Sequence, residues 1–593
     1  MDAVLNVDHS FTGKNWRSRV DGDEVARDRR ATALAQRLEL PAIVAQILAD
    51  REIELDQAEA YLAPTLRDLL PDPSSFRDMD QAVARLVRAI GAGEKIAVFG
   101  DYDVDGATSS ALLLRFMRAV GGDIQAYIPD RIAEGYGPNA PALLKLAADG
   151  VRVVVTVDCG ITAFEPLAAA AQAGLDVIVL DHHVAEPQLP TAVAVVNPNR
   201  FDENAGHGYL AAVGVCFLTT IALNRALRAA GHYQGRAEPN LLQWLDLVAL
   251  GTVADVVPLV GLNRAFVQQG LKVLAGRRNT GLSALADVAG LDSRPEAYHL
   301  GFVLGPRVNA GGRVGEAGLG TRLLAADDPA EAAELARRLD AYNGDRRAIE
   351  AEVLTAAVTQ AEAAGAAATS LVMVGDAGWH PGVIGIVAAR LRERFGVPAC
   401  VIAWDGAVGK GSGRSVPGVA LGPAVLAAQQ AGLLINGGGH AMAAGFTVAR
   451  DRFADFQAFM TERIGAELAA APLTQRLNID AVVTPGGANR DLFDAMAQVG
   501  PFGAGNAEPR LACPAVKLVK ADVVGENHVR CIFSGREGGR LKGIAFRAMD
   551  SDLGPALLST GGKPVHVAGH LRADDWQGRN GVQMIIDDAA WAQ

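Results

Sequence analysis

KIAVFGDYDVDG (95–106) decides how the rest of the chain is read. A β-branched, apolar run ends in three aspartates at alternating positions, Asp101, Asp103 and Asp105, and a glycine then precedes a stretch of helical composition. Ligands of open α/β sheets gather at the carboxyl ends of parallel strands, so a strand that runs straight into acidic residues marks a site as well as a fold. Two further runs repeat the arrangement. VRVVVTV (151–157) leads into Asp158, and DVIVL (176–180) into Asp181, His182 and His183, with alanine- and leucine-rich stretches of helical length between them. This alternation predicts an α/β fold with a parallel sheet.

Three carboxylates this close raise one another's pKa and destabilise a fold unless a cation neutralises them. An EF-hand loop fits poorly, because a loop starting at Asp101 puts Leu112 where the bidentate Glu belongs. Taken singly, Asp158 and Asp181 read as turn or cap residues. Their place at successive strand ends favours a ligand role. Adjacent His182 and His183 are awkward in a core, whereas neutral imidazole beside carboxylate is a natural shell for Mn²⁺. Asp255, inside the apolar GTVADVVPL (251–259), also needs a cation or a strong donor, since an unpaired buried charge costs several kcal/mol as a rough general figure.

A second set of residues suits anions: Arg307, Asn309 and Arg313 in GPRVNAGGR (305–313), Ser412 and Arg414 in SGRS (412–415), and His440 after three glycines. Arginine forks and backbone amides match phosphate oxygens. Trp379-His380, Phe502 and Trp576 read as packing rather than as base-stacking platforms.

At 593 residues and 50% hydrophobic composition the chain holds several globular units. Residues 1–85 are mostly helical and carry no legible chemistry. Residues 86–328 form the unit with the acidic motifs, and 329–366 a connecting helix that starts at Asp328-Pro329 and is interrupted at Asn343-Gly344. A second α/β unit, 367–468, opens on LVMVG (371–375). From 471 to 593 the pattern changes to strands, VRCIF (529–533), KPVHVAGHL (563–571) and VQMII (582–586), with almost no helical periodicity, as in a small β-barrel of OB type.

The net charge of −12 excludes a uniformly basic coat for nucleic acid, so any strand must meet a local groove. The segment from 471 onward carries equal numbers of basic and acidic residues and is the better backbone-binder. Five cysteines, odd in number and without a CxxC pair, suggest neither a disulfide framework nor a zinc site, which fits a reduced cytoplasmic compartment. No stretch approaches 18 uninterrupted apolar residues, and neither secretion nor membrane insertion is expected.

DYDVDG, VDCG, DHH and GTVADVVPL, in this order and at these intervals, resemble the metal-site motifs of the DHH phosphoesterase superfamily. The similarity to its single-strand exonucleases continues through EGYG (134–137), GPRVNAGGR, WHPGVIGIVAARL (379–391), SGRS, GGGH (437–440) and PFGAGN (501–506), covering about Ala92 to the C-terminus. The resemblance implies a catalytic DHH domain, a connecting helix, a DHH-associated substrate-binding domain and a C-terminal OB-fold. It also implies a 5′→3′ exonuclease on single-stranded DNA in recombination and repair, with Asp158, His182 and His183 catalytic and two Mn²⁺ or Mg²⁺ ions. Asp103 and Asp158 would hold one ion and Asp105, His182 and Asp255 the other, with Asp158 bridging and His183 facing the substrate phosphate. Phe99 stands where many relatives place a His, which leaves the first ion to rely on Asp101 or to bind weakly.

Two cations roughly 3.5–4 Å apart can activate water and stabilise both the attacking and the leaving oxygen of an in-line displacement. The implied partners are single-stranded DNA, a single-strand-binding protein and a helicase, acting with a monomer. Two other readings stay open. A DHH phosphodiesterase on short oligonucleotides or cyclic dinucleotides usually lacks the segment after 471, and a non-catalytic repair scaffold would not need the full Asp and His set.

Overall fold

The computed structural model describes residues 3–19, 24–131, 133–366, 369–470, 475–574 and 581–592. The boundaries drawn at 367 and 471, and Trp576, lie outside the described residues. The acidic motifs stand on a sheet of five parallel strands. From one edge to the other these are Ile124–Tyr127, Ile96–Gly100, Val153–Val157, Asp176–Leu180 and Ala194–Val196. The second strand in the chain is added on one side of the first, and all later ones on the other. The switch point of this doubly wound sheet therefore lies between Ile96–Gly100 and Val153–Val157, where a ligand crevice is expected.

Both faces of the sheet are covered. Val98, Val155 and Ile178 pack with the helices Met79–Ala92, Val104–Val120 and Ala212–Ala229, while Phe99, Val154 and Val177 pack with Ala140–Ala148 and Phe164–Gln172. Double burial explains why these strands read as continuous apolar runs rather than alternating ones. The helix Ala212–Ala229 is long and apolar enough to cross a bilayer by composition, but 72% of it is buried inside this unit.

Asp328 caps the connecting helix, its Oδ1 accepting from the Glu331 amide at 2.7 Å. The helix Pro329–Ala363 then runs 35 residues without a break. The interruption expected at Asn343-Gly344 is absent, because Asn343 is buried and its side chain accepts from Arg346 at 2.6 Å, while packing against helices of both α/β units supports the helix on either side. The second α/β unit is a mixed sheet in the order Asn436–His440, Ala443–Ala449, Val408–Arg414, Ala399–Asp405, Val372–Asp376, with only the last two strands parallel.

In the C-terminal unit, Leu511–Val524, His528–Ser534, Arg540–Ala545, Gly581–Trp591 and Val565–Asp574 close into a five-stranded barrel, Val565–Asp574 pairing back onto Leu511–Val524. This is the OB arrangement. The unit is less purely β than its sequence suggests, since the helices Arg490–Ala497 and Leu553–Leu558 cover the barrel with Leu492, Met496, Leu553 and Leu557.

The N-terminal segment is helical over Glu24–Leu38, Ala42–Asp50 and Leu55–Leu62, and it folds onto this barrel. Its strand Asn15–Ser18 pairs in parallel with Arg476–Ile479. Trp16 is fully buried and donates from Nε1 to Asp588 at 2.9 Å, and Arg19 grips Asp480 with two bonds of 2.6 and 2.9 Å.

Candidate active site

Asp101, Asp103 and Asp105 leave the strand Ile96–Gly100 at the switch point, with Asp158 at the end of the neighbouring strand. Gly106 lets the following helix close over this turn, since a Cβ there would stand 2.4 Å from the Asp101 carbonyl oxygen. Asp158 itself holds a left-handed backbone, φ 59°, which is uncommon outside glycine and costs about 1 kcal/mol or more unless its surroundings enforce it. Val256, next to Asp255, is a β-branched residue at φ 64°. Backbone strain therefore flanks the acidic cluster on two sides.

Three overlapping groups of donors converge, one of them Asp158 with His182 and His183. Asp101, Asp103 and Asp158 each offer a ligand atom, all within 4.8 Å of one another, and so do Asp105, His182 and Asp255. Asp158 stands between them, its Oδ1 3.2 Å from His182 Nε2, which is in turn 3.5 Å from Asp255 Oδ2. Phe99 points into the core on the far face of the sheet, stacked on Tyr127, so Asp101 takes its place in the first group.

The donor set fits a divalent cation. Asp101 Oδ1, Asp158 Oδ1, His182 Nε2 and Asp255 Oδ2 are all buried with no hydrogen-bond partner among the described residues, an arrangement that is costly unless an ion fills it. Burial, with Asp103 adding repulsion, lifts Asp101 well above the usual carboxylate range and Asp105 to about 7. Burial likewise raises Asp158 strongly and Asp255 to about 9, with neighbouring aspartates adding to both. Burial and the neighbouring His183 lower His182 to about 4, so its ring is neutral at pH 7 and free to donate a lone pair.

Several of these residues also hold the fold. Asp103 caps the helix Val104–Val120, accepting from the Gly106 amide at 3.0 Å. Asp105 accepts from the amides of Ala212 and Val213 at 2.6 and 2.9 Å, anchoring the N-terminus of Ala212–Ala229.

Asp181 stays below its ordinary range despite full burial, because His183 donates to it and backbone amides surround it. Its carboxylate accepts from the amides of Ile161, His182 and His183 and lies 2.7 Å from His183 Nδ1. Burial pulls the His183 ring down, but the bond to Asp181 and the nearby aspartates outweigh it and raise its pKa. Asn199 and Asn197 fix the histidine backbone by donating to the carbonyls of His182 and His183 at 2.5 and 2.9 Å. Asp181, whose strand-end place favours a ligand role in the sequence, instead positions His183, because amides and that ring already occupy its carboxylate; Asn197 and Asn199 carry no sequence signal for their role.

Tyr136 of EGYG also belongs here. Its hydroxyl donates to the Asp158 carbonyl at 3.0 Å, its ring meets His183 edge-on, and it remains half exposed.

Across the cluster lies a cavity of 310 Å³ between the two α/β units, lined by Arg131, Arg313, Lys410, Ser412, Arg414 and the 381–385 turn. Arg313 donates to the Gly382 carbonyl at 3.1 Å, and burial with the neighbouring arginines lowers it to about 10, so it stays charged. Arg414 is lowered too, first by burial and then by Arg131 and Arg392. Gly385 admits this guanidinium, since a Cβ there would lie 3.0 Å from Arg414 Nη2 and from Ser412 Oγ. The helix Ile384–Phe395 directs its N-terminal amides toward the same space, the usual setting for an anion.

Of the seven residues expected to meet phosphate, Arg313, Ser412 and Arg414 line this cavity, and His183 stands in the acidic cluster instead. Arg307 does not line it either. It is turned to the connecting helix, bonded to Asp340 at 2.8 Å and to the Val303 carbonyl at 2.7 Å, and braces the interdomain helix. Asn309 and the exposed His440 also stand outside the lining. His380 accepts from the Gly382 amide at 3.0 Å and Trp379 is buried, while Phe502 packs on the barrel core, so these aromatics serve packing as expected.

Comparison with known proteins agrees over nearly the whole chain. Residues 95–252 match the DHH family, N-terminal domain, residues 364–466 the DHHA1 domain, and residues 479–588 the RecJ OB domain. The single-stranded-DNA-specific exonuclease RecJ of Dickeya dadantii is 37% identical over 92% of this chain and 96% of its own, and that of Escherichia coli is 37% identical over 93% and 96%. The crystal structure of RecJ in complex with Mn²⁺ from Thermus thermophilus superposes with a TM-score of 0.79 at 31% identity, covering 97% of this chain and 79% of that one. A second structure from the same organism holds Mg²⁺. The chain belongs to the RecJ family of single-stranded-DNA-specific exonucleases.

Proposed function

We infer that this chain hydrolyses single-stranded DNA from its 5′ end, using two Mn²⁺ or Mg²⁺ ions. The observation that carries this reading is the set of buried donor atoms from Asp101, Asp158, His182 and Asp255, beside a cationic cavity whose Arg131 lies 5.0 Å over the ring of Tyr102, between Asp101 and Asp103. Asp101, Asp103 and Asp158 would hold one ion and Asp105, His182 and Asp255 the other, with Asp158 contributing to both. Bound there, the ions supply Lewis acidity and a water activated for in-line attack on phosphorus.

The chain's own groups do the rest. Asp181 holds His183 by Nδ1, which leaves the other ring nitrogen to meet a phosphate oxygen. Arg313, Arg414 and Ser412 bind the adjoining phosphate and fix the strand relative to the donors. Closure of the cavity between two units admits one strand more readily than a duplex about 20 Å across, and it requires a free end. The partner classes that suit this reading are a helicase that unwinds the duplex and a single-strand-binding protein, with the nuclease acting as a monomer in the cytoplasm.

The test compares internally labelled linear single strand, the same sequence circularised, and blunt duplex, with Mn²⁺ present. Rapid loss of the linear strand alone is expected. Cleavage of the circle would mean endonuclease action, and digestion from the 3′ end would overturn the polarity.

A further inference from the structure

Tyr298 and Phe302 stack on one another with ring centres 5.2 Å apart and planes within 24°, yet 58% of Tyr298 and 72% of Phe302 is exposed. Large aromatics are normally turned inward, and a stacked pair facing outward implies a ligand with flat faces. The pair lies on the helical stretch that leads into Gly305–Val314. Ala297, Leu300, Leu304 and Val308 form its buried face, and Tyr298 and Phe302, four apart, form the opposite one. Leu300–Leu304 is a π-helical turn, a rare conformation that recurs at functional sites. The capping box of Glu296 and His299 locks the start of the stretch.

Its position is informative. A Cβ at Gly301 would lie 3.4 Å from Val253, and one at Gly305 would lie 3.5 Å from Ala254, so the stretch packs on the last turn of the helix that ends at Asp255. On the other side is the barrel. Arg572, on its strand Val565–Asp574, lies near the Glu296 carboxylate and pairs with Glu508 beside PFGAGN. The two rings therefore stand on an element that packs beside Asp255 and starts near a strand of the barrel.

We propose that Tyr298 and Phe302 form a stacking platform for the unpaired bases of a single strand passing from the barrel to the metal donors. Every base has a π-face, so the platform is indifferent to sequence, and a duplex, whose bases are already stacked, offers it nothing. A protein partner fits less well, because two rings are a small patch beside the several hundred Å² typical of such interfaces.

The proposal rests on the single-strand reading above. The experiment uses the full chain, wild type, Tyr298→Ala/Phe302→Ala and Phe302→Trp, with a 5′-phosphorylated oligonucleotide carrying 2-aminopurine or an abasic residue at each position in turn. Wild type should quench 2-aminopurine at one or two adjacent positions several nucleotides from the 5′ end, and an abasic residue there should raise KM roughly tenfold. Both effects should vanish in the double variant and persist in Phe302→Trp. Uniform quenching in wild type, or the same profile in the double variant, overturns the platform. Quenching is read without cleavage, so a platform-positive protein that degrades no strand would instead overturn the nuclease reading.

Discussion

The guanidinium of Arg264 lies 3.8 Å above the ring of Tyr61, and its Nη2 donates to the carbonyls of Tyr61, Val499 and Gly500 at 2.9, 3.2 and 2.7 Å. One buried side chain thus ties the catalytic unit to both the N-terminal helices and the barrel. Tyr61 completes the joint by donating to Asn506 at 2.8 Å, while the Leu259 amide donates to the Ala504 carbonyl at 2.8 Å, four residues beyond Asp255. Arg264→Ala leaves three acceptors short of a donor and should destabilise the chain by about 3 kcal/mol. Calorimetry should show a lower Tm, and limited proteolysis an early cut near 500. Arg264→Lys should recover little, because an ammonium cannot stack on the ring. Wild-type Tm in either variant would show the joint to be incidental.

Removing metal should make stability fall with pH. The folded-state values of about 7 for Asp105 and about 9 for Asp255 lie above the roughly 3.9 of an unfolded aspartate, so the native metal-free chain holds more protons than the unfolded one between those limits. Their contribution is complete below about pH 4 and is lost as pH rises through 7 and 9. His182 has the opposite sign, its contribution being lost only on acidification from about 6.5 towards 4. In EDTA, Tm should therefore drop from pH 6 to 9. Excess Mn²⁺ should raise Tm and remove the slope. A flat or rising profile in EDTA would contradict the cluster's electrostatics.

Asp158→Asn keeps the size of the side chain while removing the charge between the two donor groups, and Asn tolerates the φ of 59°. It should lower kcat by more than about 100-fold, the upper range for changes one shell further from a metal, with an unchanged circular dichroism spectrum. Asp181→Asn touches only that outer shell. It should weaken Mn²⁺ binding by roughly 10–100-fold, and excess metal should restore part of the activity. Equal effects of both variants at saturating metal would remove the distinction drawn between ligand and positioner.

Arg414→Ala and Arg313→Ala should raise KM for a phosphorylated strand by roughly tenfold or more each, as loss of a charge-assisted bond to phosphate requires. Arg307→Ala should instead lower Tm, since its partner is Asp340 of the connecting helix. A KM effect from Arg307 as large as that from Arg414 would return it to the phosphate site.

The contrast between those arginines marks what the sequence could and could not convey. The strands before Asp101, Asp158 and Asp181 were legible because double burial writes itself as unbroken apolar runs, whereas Ile124–Tyr127, a short edge strand with a polar Gln125, left no such trace. Arg307 and Arg313 share one motif and one helix. Which of them faces the cavity depends on a helical rotation and on Asp340, 33 residues away. Asp105 displayed its charge but not its second task of holding the amides of Ala212 and Val213. Asn343-Gly344 looked like a stop because local propensity favours one, and packing from both units overrode it. Nothing in residues 1–85 announced that their apolar face belongs to a barrel some 450 residues later.

That last pairing sets a timetable. A ribosome adds about 5–20 residues per second, so Trp16 emerges roughly half a minute to two minutes before Asp588 exists to accept its indole proton. Throughout that interval the strand Asn15–Ser18 has no edge to join, and Leu34, Ile47 and Leu48 have no barrel to cover them. These helices are thus made well before the barrel they fold onto, and a nascent chain stalled before Gly581–Trp591 would present that apolar surface to chaperones.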